Sequence, residues 1–142
     1  MFEISDFYHY CKKNQVDVIP YDGCPQARAT VRDDGYYAVF LDFTKIRSTR
    51  LLRGVCLHEL GHTATGALHK VDSPYELAER SEYRAARWTA EHYLTEEAFR
   101  AAFSEGYREL WQLADYFDLP ESCVADALAY WKDRKCVDFA EV

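Results

Sequence analysis

The sequence predicts an α+β fold in which a short antiparallel β-sheet precedes several packed helices. Three observations lead there. β-prone runs are confined to the stretch before residue 43, whereas from Ser48 onward apolar residues recur at helical spacing. The composition is that of a globular chain, with 49% hydrophobic and 15% aromatic residues and only 6 Gly and 4 Pro. A chain of 142 residues is also long enough to bury most of its apolar surface as one domain spanning residues 1–142.

Residues 2–13 place Phe2, Phe7, Tyr10 and Cys11 at helical intervals, with Ser5 and Asp6 available as caps, and predict a first helix. Val16, Val18 and Pro20 follow, then the runs 27–32 and 36–42, the last two joined by Asp33-Asp34-Gly35, a hairpin signal. Tyr36 to Leu41 (YYAVFL) reads as the best strand of the sheet. A helix then begins at Ser48, with Leu51, Leu52, Val55, Leu57 and Leu60 as its apolar set. Gly66 and Pro74 interrupt it, and a second long helix runs from about Glu76 to Leu94. Further helices are expected at 95–104, 107–117 and 121–133, separated by Gly106 and by Asp118-Leu119-Pro120.

Charge and cysteine usage narrow the function. The net charge is -7, and no run of Lys or Arg exceeds two, so phosphate backbones are repelled on average and nucleic acid is not expected as a direct partner. The five cysteines are scattered without a CxxC pair, which favours reduced thiols and a cytoplasmic setting. The start, MFEISDFYHYCKK, carries acidic residues where a signal peptide needs positive charge, and no apolar run approaches membrane-spanning length; neither secretion nor a membrane is expected.

The chemistry is concentrated in residues 58–62, HELGH. On a helix, residues four apart share a face, so His58 and His62 can aim imidazole nitrogens at one point, about 2.0–2.1 Å from a zinc ion. Glu59 then lies beside that point and is the expected catalytic acid/base, taking a proton from the zinc-bound water and passing it to the leaving amine. Gly61 adds weight, because a glycine inside a helix costs roughly 1 kcal/mol relative to alanine and marks a place where something comes close. A catalytic zinc site needs a third protein ligand, and the next helix offers Glu76, Glu79, Glu82 and Glu91. Glu82 is the choice: its same-face neighbours are Ala85, Ala86, Thr89 and Ala90, small residues that let the two helices lie close. Glu76 shares its face with Glu79, Arg80 and Tyr83, a solvated pattern, and Glu79 is the reserve candidate.

These segments, over residues 36–131, resemble the ImmA/IrrE-type metallo-endopeptidases of bacteria, their phages and integrative elements. The resemblance rests on HELGH after YYAVFLD, on TGALHKVDSPYEL, on EYRAARWTAEHYL at 82–94, which is similar to the family's E-x-x-A-[ND]-x-[FW]-A segment, and on GYRELWQLADYFDLPESCV. It implies a zincin-like fold, one Zn2+ held by His58, His62 and Glu82, and Glu59 as the catalytic residue. It departs from the family at Ala86, where Asn or Asp is frequent, at Thr89 and at Thr95; loss of an outer group that orients a ligand at position 86 would weaken the site. The implied substrate is a protein, a helix-turn-helix repressor of mobile-element genes, presented as an extended segment beside the edge strand. The alternative is a non-catalytic zinc-containing module that binds and sequesters such a repressor. His69 and His92 read as surface histidines, one of Tyr75, Tyr83 or Tyr93 is a candidate oxyanion donor, and the acid-rich helices around Asp118-Leu119-Pro120 read as core cover or a protein-docking surface.

Overall fold

The computed structural model describes residues 1–140 except 24–25, 32–34 and 67–74, and of residues 31 and 75–78 the backbone only. The Asp33-Asp34 turn, His69, Pro74 and the side chains of Tyr75 and Glu76 therefore lie outside the described residues. Among those described, six α-helices and a three-stranded sheet follow one another as α1 (Ile4–Lys13), β1 (Asp17–Pro20), β2 (Ala27–Val31), β3 (Tyr37–Leu41), α2 (Thr49–Thr65), α3 (Tyr75–His92), α4 (Glu96–Ser104), α5 (Leu110–Phe117) and α6 (Glu121–Ala129). A π-helical turn, Tyr130–Arg134, extends α6.

The sheet is mixed, not wholly antiparallel as expected. Its order is β1-β3-β2: β2 runs antiparallel to β3, with Ala29 opposite Val39, while β1 runs parallel to it, with Val18 opposite Val39. Three successive strands alternate in direction, so a first strand that pairs with the third must be parallel to it. Local sequence signals report only the β2–β3 pair; nothing in them says which free edge β1 will take. Central placement explains why Ala38, Val39 and Leu41 of β3 are fully buried. It also leaves β2 as an edge strand, the one nearer the helices that carry HELGH.

Helix α2 is the axis of the molecule. Ser48 caps it by accepting from the Leu51 N–H at 3.0 Å, and Gly66, at φ 65°, closes it in the left-handed conformation that glycine adopts without a Cβ penalty. Every residue from Arg53 to Leu57 and, bar His58, from Glu59 to Thr63 is buried, as befits a helix enclosed on most sides. One neighbour is α3, whose Ser81, Ala85 and Thr89, four apart, are all buried against it. A Cβ built on Gly61 would stand 2.7 Å from the Ala85 carbonyl oxygen, so the close approach anticipated at Gly61 is made by the backbone of α3.

On another side α2 meets the start of α6. A Cβ at Gly54 would stand 2.5 Å from Pro120 and 3.2 Å from the Cys123 sulfur. The buried Arg53 guanidinium locks this junction: its Nε donates to the Asp118 carbonyl at 2.8 Å, Nη1 to Glu3 at 3.1 Å, and Nη2 to the Phe2 carbonyl. Arg50 adds ion pairs to Asp115 and Asp118. Below, Phe99, Phe103, Phe117 and Phe139 build an aromatic cluster with ring centroids 5.2–6.2 Å apart that seats α4 and α5.

Gly61→Ala opposes two effects. Alanine favours the helix by about 1 kcal/mol, whereas forcing a methyl against a main-chain carbonyl costs about 1–3 kcal/mol and cannot be relieved by a rotamer change. We expect net destabilisation of up to about 2 kcal/mol, read as a lower urea midpoint at unchanged slope. A raised midpoint would show that α2 and α3 separate without penalty.

Candidate metal centre and its cleft

HELGH lies within α2, and Glu82 one turn before Ala85 and Ala86 in α3. Because the two helices touch at Gly61 and Ala85, the side chains that flank this contact converge. Nε2 of His58 is 3.0 Å from one Glu82 oxygen, Nε2 of His62 is 3.2 Å from the other, and the two imidazole nitrogens are 3.1 Å apart. His58, His62 and Glu82 thus form a group able to hold a metal ion, with ligand atoms all within 4.8 Å of one another.

The donor set fits a cation better than it fits protons. Two N–H groups can both point at the Glu82 carboxylate, but the short His58–His62 approach then sets them against each other. One cation satisfies all three atoms at once. Tetrahedral ligands about 2.0–2.1 Å from a zinc ion lie about 3.3 Å apart, close to the spacings here. The hydrogen bonds from both histidines hold the Glu82 carboxyl well below the usual carboxylate range, the ionised form that a metal requires. His62 is buried, and Ser81 Oγ lies 3.4 Å from its Nδ1, on the side away from Glu82; a proton there leaves the Nε2 lone pair free for a metal.

Glu59 is not one of the three ligands. It is buried, and burial pushes its carboxyl pKa up, opposed by the two histidines. The backbone of Ala29 in β2 faces this carboxylate and acts, more weakly than burial, to lower its pKa. The group opens into a cleft of about 830 Å³. One wall is the edge strand at Gln26–Ala29, the floor is α2 with Leu51, Gly54 and Val55, and the far wall is α6 with Pro120, Cys123 and Asp126.

No protein-family model matches the chain, and neither the curated proteins nor the solved structures contain a significant match to it.

The remaining candidates separate clearly. Glu79 is exposed and outside the metal-binding group. His92 stacks on Trp88 with centroids 4.3 Å apart and lies 2.8 Å from the Trp88 carbonyl, remote from the cleft lining. Tyr93 packs edge-on against Phe2, and Tyr83 lies under the Arg134 guanidinium, so neither lines this cleft. Sequence reasoning missed Ser81, Arg28 and Asp126. Ser81 was within reach, since it extends the face of Ala85 and Thr89 one turn upstream; Arg28 and Asp126 arrive from distant segments and carry no local signal.

His58→Ala, His62→Ala and Glu82→Ala should each cut metal affinity more severely than the roughly 10–100-fold attached to groups that orient ligands. Ser81→Ala should fall within that range, and Glu79→Ala should have no effect. Competition with a chromophoric chelator measures all five; a loss at Glu79 with Glu82 silent would reassign the third ligand.

Proposed function

We propose that the chain is a zinc-dependent endopeptidase acting on a protein substrate. The observation that supports this most is Glu59: a buried carboxylate that lines the same cleft as the three-donor group and stands outside that group. A structural four-ligand site has no use for such a group. Two imidazoles and a carboxylate suit zinc, which takes four ligands and in catalytic sites keeps one position for water or substrate. Bound there, zinc would lower the pKa of a coordinated water and polarise a peptide carbonyl.

The chain's own residues supply the rest. Glu59 accepts the proton of the attacking water and delivers it to the departing amine, and its burial favours a proton-exchanging carboxyl over a permanently charged one. Ser81 fixes the ring of His62. The edge of β2 offers backbone groups to an extended segment, so the scissile bond is laid along the strand beside the metal group. A flexible linker of a helix-turn-helix repressor, the substrate implied by the family resemblance, suits such a cleft better than a folded domain.

Glu59→Gln keeps size and most hydrogen bonding and removes the proton acceptor. It should retain zinc and thermal stability and lose proteolysis of a repressor encoded nearby by about 10²–10⁴-fold. Fragments are mapped by mass spectrometry, with casein as a poor substrate for comparison. Relief of repression by this variant as strong as that by the wild-type chain would favour the sequestering module instead.

A further inference from the structure

We infer that Asp126 selects a lysine or arginine side chain in the bound peptide, with the aliphatic stem lying in the trough between α2 and α6 and the cation meeting the Asp126 carboxylate. This deepens the endopeptidase reading and rests on it. The trough is built by a close helix contact. Gly54 lets Pro120 and Cys123 come down onto α2, and Leu51 and Val55 continue the apolar lining on either side. One turn further along, α2 presents His58 and α6 presents Asp126. The recess is therefore apolar at one end and acidic at the other, next to the metal group.

Among the described residues no lysine or arginine is paired with Asp126. The arginines in the adjoining groove that Asp126 also lines are committed: Arg87 to Glu91 at 3.1 Å, and Arg134 over the Tyr83 ring at 4.9 Å. Asp126 lines the same cleft as His58, His62 and Glu82 and is near enough to His58 and Glu82 to feel their charge. Arg28, the one Lys or Arg lining the cleft among the described residues, belongs to the opposite wall. A long apolar stem with a cationic tip matches this order of surfaces, since Lys and Arg bury their methylenes while keeping the head at a polar rim. An acidic side chain in the same seat would face Asp126 and Glu82 together.

The test uses zinc-loaded Glu59→Gln protein, so that binding is read without cutting. Fluorescein-labelled decapeptides, identical except for Lys, Arg, Leu or Glu placed at each position in turn, are titrated by anisotropy. At one position Lys or Arg should bind at least tenfold more tightly than Glu. Adding Asp126→Asn should abolish most of that preference, and Asp126→Lys should turn it toward Glu, with zinc content unchanged in both. A preference untouched by these variants, no measurable binding of any Lys or Arg peptide, or a loss of zinc with peptide choice intact would overturn the inference. The same peptides are then offered to the chain with Glu59 restored: a charge preference without any cleavage would remove the endopeptidase reading and leave the seat standing.

Discussion

The approach of α3 to α2 at Gly61 is the constraint on which the site depends. Ligand atoms about 3 Å apart cannot be assembled from two helices held at the usual 8–10 Å interaxial distance unless the side chains between them are small. Gly61 supplies the gap on one helix, and Ser81, Ala85 and Thr89 supply it on the other. Where the backbones touch, the longer side chains beside the contact, two histidines and a glutamate, come within reach of one another. The metal group is in this sense a product of packing, and its geometry is paid for in glycine entropy within α2.

The opposite wall is held by a different kind of force. Arg53 is buried, and a buried guanidinium is tolerated only when its donors are met. It spends them on the first residues of the chain and on the Asp118 carbonyl at the α5–α6 turn, joining two distant segments to the helix that carries the histidines. The cleft is thus bounded by apolar closeness on the α3 side and by hydrogen-bonded charge on the α6 side. Its width is set by both, and neither involves the side chains of His58, Glu59, His62 or Glu82.

What was legible in the sequence follows the range of the interactions. His58 and His62 are four residues apart, so their shared face needs only a helix, and the capping serine at 48 and the glycine at 66 mark that helix. Glu82 was found through the small residues that follow it, a packing argument across two elements. The direction of β1 was not legible, because it depends on which edge of β3 is free. Asp126 was not legible either: in sequence it is one more acid on a solvated helix, alongside Glu121 and Asp133, and only the descent of Pro120 onto Gly54 turns it toward the metal group.

The placing of the Glu59 carboxylate against the Ala29 backbone has a consequence for solubility. An edge strand presents unsatisfied N–H and C=O groups that invite pairing with any other extended chain, and many proteins blunt such edges with charge. Here the blunting charge is a carboxylate rooted in a neighbouring helix, fixed in place and not carried by the strand itself. An unfolded passer-by, or a second copy of the chain, meets an edge with a buried carboxylate set beside its centre. Self-association through β2 is thereby discouraged without sealing the edge against a segment whose own groups are suited to that carboxylate.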